Sequence, residues 1–501
     1  MNPSQQRSSS TTPMFDNSYA RLSAQFYDRL DPTPVAAPKL IEVNHDLAIS
    51  LGIDPHWLSG PEGLEFLAGN RLPPSAEPLA MAYAGHQFGN WVPRLGDGRA
   101  LLLGEVIDRE GVRRDVQLKG SGPTPYSRGG DGRSSIGPVV REYLGSEAMA
   151  ALGIPTTRAL GAVATGEQVM RERPEPGGIL CRVATSHVRI GTFEYFARNN
   201  QPEAVRRLAD YVIDRHYPEL VQSDQPYRAL LDAVLTRTAN LVASWMLVGF
   251  VHGVMNTDNS SVVGETIDYG PFGYIDAFDP ATVYSYIDRR GRYAWNQQPG
   301  IAHWNLARLA ECLLGLLADD EQAALEVADD ILGRFPDRFT AAFDAGLAAK
   351  IGLAASRDGD AELALDLLDR MAGNNADMTL TFRRLSALPK GHGDDDGFVR
   401  ELFDQPEAFD QWARTWRQRL AGEQRSDSER RQAMESVNPA FILRNHLAQR
   451  AVDASIEQLD FGPMRELNRV LARPYQDQPE FSHLSLPPEP HERVRHTFCG
   501  T

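Results

Sequence analysis

Cysteine is the scarcest chemistry in this chain: Cys181, Cys312 and Cys499 are its only thiols in 501 residues. Three thiols so far apart exclude a dense disulfide scaffold and any CxxC metal site, and they point to a reducing compartment, the cytoplasm. Long apolar runs are missing too. The longest, ANLVASWMLVGFV (Ala239–Val251), falls short of the roughly 20 residues needed to span a bilayer and contains Asn240 and Ser244. It reads as a buried helix, and no membrane is expected as a partner. The opening MNPSQQRSSSTTPM has no apolar core of an export signal and reads as a disordered tail, 1–14. Positive charge is in deficit, 51 Lys and Arg against 67 Asp and Glu for a net −16. Such a surplus of negative charge repels polyanions, so no nucleic acid is expected. Any phosphate-bearing ligand must be met by cations gathered locally. The histidines His86, His187 and His252 show no zinc spacing.

What is present is material for more than one core, since 501 residues exceed the usual domain size. Residues 15–80 mix short helical patterns with proline breaks and read as an N-terminal arm packed on a larger body. RALLLGEVI (Arg99–Ile107) and RDVQLKG (Arg114–Gly120) read as an antiparallel hairpin. A glycine-, serine- and arginine-rich loop follows, then a helix in which Val139, Val140, Tyr143 and Leu144 share a face. Strand-like runs through ALGAVATGEQVMR and GGILCRVATSHVRIGTFE complete a sheet-rich lobe, 81–198. Helical spacing dominates 199–480, as in Leu306, Leu309, Leu313, Leu316 and Leu317. GHGDDDG (Gly391–Gly397) and GEQRSDSERR (Gly422–Arg431) read as exposed loops, and 481–501 as a C-terminal tail carrying Cys499. The expectation is an α+β, protein-kinase-like two-lobed fold with N- and C-terminal extensions.

Five short motifs follow the chain order used by protein kinases, and their order carries more weight than any one of them. LGDGRALLLGEV resembles a glycine-rich phosphate loop, in which Gly96 and Gly98 let backbone amides approach phosphate, with Leu101 in place of the third glycine. Lys119 ends the strand VQLK, and Glu142 lies on the next helix where its ion-pair partner belongs. Asp131 and Gly132, flanked by Arg128 and Arg133, occupy the loop between them. HGVMNTDN (His252–Asn259) overlies a kinase catalytic loop in its first and last positions, but Val254 stands where a kinase keeps its catalytic aspartate. A carboxylate returns at Asp258, beside the candidate metal ligand Asn259. In IDYGPFG (Ile267–Gly273), Asp268 occupies the metal-binding position of D-F-G. Arg182 and Arg189, seven residues apart, supply planar cations suited to phosphate oxygens. Each residue taken alone has an ordinary alternative, as a hairpin turn, a surface charge or a turn-capping aspartate. A γ-phosphoryl-transferring kinase and a nucleotide-binding pseudokinase scaffold both stay open on this pattern.

With these motifs, the chain resembles the selenoprotein O family, also called YdiU, through MAYAGHQFGNWVPRLGDGRA, QLKGSGPTPYSRGGDGR, HGVMNTDN, IDYGPFG and NPAFILRNHLAQRA. The resemblance implies a kinase-fold protein adenylyltransferase that moves AMP from ATP to Ser, Thr or Tyr hydroxyls of protein substrates, with pyrophosphate leaving. UMP transfer from UTP, with manganese in place of magnesium, is also implied. Carried over by motif, Gly96, Gly98, Arg99, Lys119, Asp131, Gly132, Arg182, Arg189 and Asp268 contact nucleotide. Asn259 and Asp268 bind Mg2+, Asp258 accepts the proton, and Glu142 holds Lys119. Relatives also place redox chemistry near the C-terminus, in some with a disulfide to the loop after D-Y-G. Here AFDPATVYSYID after that motif has no cysteine, which leaves Cys499 without an internal partner there.

Overall fold

The computed structural model describes residues 12–354, 357–391 and 396–497. Most of the tail 1–14, Asp394 and its neighbours in the first acidic patch, and Cys499 therefore lie outside the described residues. Its organising element is an eight-stranded antiparallel sheet in the order β1-β3-β6-β7-β10-β9-β2, with β8 paired to β10. The strands are β1 (Tyr27–Arg29), β2 (Lys39–Val43), β3 (Leu79–Met81), β6 (Ala100–Ile107), β7 (Arg113–Lys119), β8 (Ser134–Ser135), β9 (Arg158–Met170) and β10 (Pro174–Ala184). A separate hairpin of β4 (Gly85–Gln87) and β5 (Asn90–Val92) and a short pair of β11 (Phe250–Val251) and β12 (Gly273–Tyr274) stand apart.

Strands β6 and β7 form the expected hairpin, with Ala100 opposite Lys119 and Ile107 opposite Arg113. Nearly every residue of β6 is buried, because the sheet is covered on both faces. One face receives α1 (His45–Ser50), α2 (Pro55–Leu58) and α3 (Pro61–Leu67), whose Leu47, Leu58, Phe66 and Leu67 join Val116, Leu118, Cys181 and Val183 in one core. The other receives α4 (Ile136–Ala151), whose Val139, Val140, Tyr143 and Leu144 are buried as the helical spacing requires.

Residues 15–80 differ from an arm packed on a finished body: they supply both edge strands, β1 and β2, together with β3. Phe15 closes against Gly104, where φ is +146° and a Cβ would come within 3.0 Å of the phenylalanine ring.

Beyond the sheet the chain is helical: α5 (Ile190–Arg198), α6 (Pro202–His216), α7 (Pro226–Leu247), α8 (Gln298–Leu317), α9 (Glu321–Leu332), α10 (Phe335–Lys350), α11 (Asp360–Gly373), α12 (Met378–Leu385), α13 (Gly397–Arg400), α14 (Pro406–Leu420), α15 (Asp427–Glu435), α16 (Asn445–Gln458) and α17 (Gly462–Leu471). Three local expectations are corrected. The apolar run to Val251 leaves helix at Leu247, because Gly249 turns at φ +71° and Phe250–Val251 then pairs with Gly273–Tyr274. The strand-like reading of RIGTFE gives way to α5, which begins at Ile190 directly after the still extended Arg189. The charged patch ending at Arg431 is half helix, since Ser426 and Glu429 form a reciprocal capping box that starts α15. No helix among the described residues is long and apolar enough to cross a membrane.

Candidate active site

The site forms where the ends of β7 and β10, the middle of α4 and the loop before β12 converge. Lys119, the last residue of β7, donates from Nζ to Glu142 Oε2 at 2.6 Å and to Asp268 Oδ1 at 3.3 Å. Arg182 on β10 lies two residues past the partner of Lys119 in the sheet register, so its side chain leaves on the same face. Its Nη1 donates to Glu142 Oε1 at 3.1 Å and to Asp268 Oδ1 at 2.5 Å, while Nε bonds Gln117 Oε1 at 3.0 Å. Arg189, just before α5, donates to Asp268 Oδ2 at 3.0 Å and stacks its guanidinium 4.4 Å from the Tyr83 ring centre. Three cations thus converge on one aspartate whose backbone is itself left-handed at φ +59°. Burial works to raise the Asp268 pKa, but Arg182, Arg189 and Lys119 override it and hold the carboxyl well below its usual range.

The loop carrying Asp268 is fixed from every side. His252 Nε2 bonds the Ile267 carbonyl at 2.9 Å, and Arg141 of α4 donates to the Phe272 carbonyl. Asn445 of α16 brackets Tyr274, accepting its N–H at 3.0 Å and donating to its carbonyl at 2.7 Å.

Asp258 presents a different environment. One oxygen accepts from Gln87 Nε2 at 3.2 Å, and the other, Oδ1, is buried with no hydrogen-bond partner. Burial pushes this carboxyl up to about 7, against the lowering effect of Gln87. A Cβ on Gly85 would sit 2.7 Å from that oxygen, so the glycine keeps the space open. Asn259, next along, donates from Nδ2 to the Val254 carbonyl at 3.0 Å. Its amide oxygen accepts no hydrogen bond among the described residues. That oxygen and the Asp268 carboxylate, one-fifth exposed, are hard donors of the kind magnesium prefers, and they fit a divalent ion completed by water and phosphate oxygens.

The glycine loop is strapped down. Gly96, at φ +67°, lies under the Tyr126 ring, where a Cβ would meet ring carbon at 2.2 Å. Thr124 donates to the Asp97 carbonyl at 2.7 Å, and Ser127 donates to the Gly98 carbonyl. Arg99 is half-buried, and its side chain makes no hydrogen bond among the described residues. Gly132 packs on Gly122 with no room for a Cβ. Asp131 stands outside the Lys119 cluster: it is exposed and bonded to Arg171 Nη1 at 2.9 Å and to Arg133 N at 2.9 Å.

Several residues not singled out from sequence hold these groups. Asp97 accepts from Gln117 at 3.3 Å and faces Arg189 at 3.5 Å. His86 Nδ1 lies 2.5 Å from Glu194 Oε1, Thr257 donates to the same carboxylate, and the Thr257 hydroxyl accepts from His86 N at 2.7 Å. That buried strut fixes the β4 hairpin, and with it Gln87, against the turn bearing Asp258. Asp115 accepts from His187 N at 2.8 Å and from Arg215 at 2.5 Å, steadying the loop that delivers Arg189. Asp97, His86 and Gln87 do lie inside the long signature string MAYAGHQFGNWVPRLGDGRA, which was their only signal in sequence. A cleft of about 730 Å3 between the β6–β7 turn and α6 contains none of the site residues.

Known proteins resemble this chain over nearly its whole length. The family described as "Protein adenylyltransferase SelO" matches residues 10–472. Relatives named "Protein nucleotidyltransferase YdiU" include those of Rhodopseudomonas palustris BisB5, 59% identical over 97% of this chain and 99% of the relative, and Bradyrhizobium diazoefficiens, 58% identical over the same shares. Another, from Alkalilimnicola ehrlichii, is 61% identical over 97% of this chain and 98% of its own.

Proposed function

The chain belongs to the SelO family of protein adenylyltransferases, and from that premise we propose that it transfers AMP from ATP to Ser, Thr or Tyr hydroxyls of other proteins, with UMP from UTP as an alternate donor. The observation that carries the reading is the convergence of Lys119, Arg182 and Arg189 on Asp268 beside a buried carboxyl, Asp258, with one unpartnered oxygen. We read the architecture as kinase-like, with a sheet-rich lobe over 81–198 edged by strands from 15–80, and a helical lobe over 199–480.

In this reading the acceptor oxygen bonds the α-phosphorus as the bridging α–β P–O bond breaks, and pyrophosphate departs with the electron pair. The hydroxyl proton passes to Asp258 Oδ1, which accepts no other donor. Val254, at the position of the kinase base, is a hydrocarbon and takes no part. Lys119, Arg182, Arg189 and Arg99 meet the phosphates, and the fixed guanidiniums of Arg182 and Arg189 suit the charge gathering on the leaving pyrophosphate. Glu142 holds Lys119 and Arg182 at their stations. Gly96 and Gly98 leave room for phosphate against backbone, and Asp131 and Gly132 shape the neighbouring loop. A divalent ion, magnesium or manganese, would be held by Asn259 and Asp268 and would neutralise phosphate charge when bound.

The test is peptide mass spectrometry after incubation of the full chain and of Asp268→Ala with ATP, magnesium and a cell lysate. AMP adducts formed only by the unsubstituted chain are expected. Phosphate adducts would replace this reading with a kinase, and bound nucleotide without any adduct would replace it with a scaffold.

A further inference from the structure

Between β12 and α8 the chain makes a closed excursion, Thr282–Trp295, pinned at its ends by a Trp295 N to Thr282 O bond of 3.1 Å. It is rigid inside. Asp288, buried, accepts from Arg292 N at 2.9 Å and from Tyr293 N at 2.7 Å. The C-terminal segment stiffens it further: Ser285 and Thr497 form a parallel bridge, Thr497 N donates to Tyr284 O at 2.8 Å, and His496 packs edge-on to Tyr286 with ring centres 5.9 Å apart.

So firm a frame displays side chains that a free surface would hide. Tyr286 and Ile287 are 59% and 61% exposed, side by side. Arg289 and Arg290 follow them, and Arg493 and Arg495 precede the bridged Thr497. All four arginines are exposed, and their side chains make no hydrogen bond or ion pair among the described residues. The one acid inside the excursion, Asp288, is consumed by backbone N–H groups, Glu492 beside the tail pairs with Arg450 at 3.0 Å, and Asp276, which feels the charge of Arg493, is paired with Arg444 at 2.7 Å. In a chain of net charge −16, four exposed arginines with no ion pair among the described residues, on the two segments joined at Ser285 and Thr497 next to two exposed apolar side chains, are a local reversal of sign.

The patch is joined to the chemistry. Tyr293, at the far side of the Asp288 turn, donates from its hydroxyl to Asn256 Oδ1 at 2.6 Å, two residues before Asp258. The same hydroxyl accepts from Phe88 N at 3.1 Å, next to the Gln87 that bonds Asp258. The frame that places the proton acceptor therefore also places the patch.

Resting on the adenylyl-transfer reading above, we propose that Tyr286, Ile287, Arg289, Arg290, Arg493 and Arg495 dock the protein acceptor, and that the acceptor's modified hydroxyl lies near an acidic segment bearing an apolar side chain. Tyr and Arg are the side chains most able to anchor a partner, and opposed charge guides its approach and fixes its register. The overall negative charge disfavours nucleic acid as the occupant.

The test uses the full chain, its Arg289→Glu/Arg290→Glu variant and the conservative Arg289→Lys/Arg290→Lys variant. Acceptors are synthetic peptides with one hydroxyl flanked either by Glu and Leu or by Lys and Leu. Expected for the unsubstituted chain is a KM lower for the acidic peptide by roughly tenfold or more, lost in the glutamate variant and largely retained in the lysine variant. ATP affinity, measured without acceptor, is expected to be equal in all three. Equal KM for both peptides, or a glutamate variant that keeps the preference, overturns the proposal. So does a patch whose charge reversal abolishes binding to RNA or to phosphatidylserine vesicles while the peptide preference persists. Failure of the underlying reading looks different: no AMP on any peptide, with ATP still bound.

Discussion

At the scale of single residues, two acids ten positions apart are driven in opposite directions. Asp268 is surrounded by cations and stays ionised, whereas Asp258 is raised to about 7 because burial outweighs the Gln87 amide, its own backbone N–H and the more distant charge of Arg189. In the proton-accepting role we propose, Asp258 must be ionised, so kcat/KM for a protein acceptor is expected to climb about tenfold per unit as pH rises toward 7 and then level. Stability runs the other way. Between the ordinary carboxyl range and pH 7 the folded state binds more protons than the unfolded state, so this group's contribution falls as pH rises through that window. Asp258→Asn should accordingly abolish transfer yet resist urea better at pH 8 than the parent, by on the order of 4 kcal/mol, a gain that vanishes below pH 4. Lys350 is a second buried charge. It is 4% exposed, lies over the Phe382 ring at 4.4 Å, and burial lowers it to about 7. The unfolded chain holds that proton up to the ordinary lysine range, so stability is expected to rise from pH 7 toward 10, and Lys350→Met to raise it at pH 7 by about 1–3 kcal/mol. Neither position could be weighed from sequence, because burial and partner geometry decide both. The motif residues Lys119, Glu142 and Asp268 were legible, since strand, helix and loop each bring their own to a fixed place.

At the scale of elements, Gly96 is a packing joint under Tyr126 in the turn we propose to face phosphate. Gly96→Ala would force a methyl into the Tyr126 ring and strain a left-handed backbone, at a cost of about 2–4 kcal/mol, read as a lower urea midpoint and weaker ATP binding. Tyr126→Ala added to it should return only the steric part, leaving the backbone part in place. The β6–β7 hairpin was readable from two aliphatic runs on either side of the turn-like DREGVR, and α4 from a helical period sustained across its length. The edge strands β1 and β2, and β3 beside β1, were not, because strands of three to five residues between prolines have no period of their own and exist only by pairing with the sheet. The same holds for β11, cut from an apolar helical run by the single turn at Gly249. The strut of His86, Glu194 and Thr257 joins residues up to 171 positions apart, which no local pattern carries.

At the scale of the whole molecule, the sheet and the helices are tied through shared elements. Helix α4 gives Glu142 to the site, packs on β9 and β10, and on its other flank receives α16 and α17, with Val452 and Ile456 against Gly137. The segment entering α16 is a second tie. Arg444, fully buried, donates to Asp276 just beyond β12 at 2.7 Å, to Asp377 at the start of α12 at 2.6 Å, and to the Ser485 carbonyl at 2.9 Å. Next to it, Asn445 brackets Tyr274. The signature NPAFILRNHLAQRA thus holds the segment that follows Asp268 from behind, 168 residues away in sequence. Arg444→Met would keep the bulk of the side chain but leave Asp377 buried without its cation, a loss of about 3–5 kcal/mol measurable by urea unfolding. Because Asp276 would be released as well, limited proteolysis should open first between Ile267 and Arg290, and ATP should slow that cleavage by engaging Asp268 from the front. A variant that unfolded with the parent's midpoint and cleavage pattern would mean that the sheet side alone fixes the loop, through Arg141 and His252.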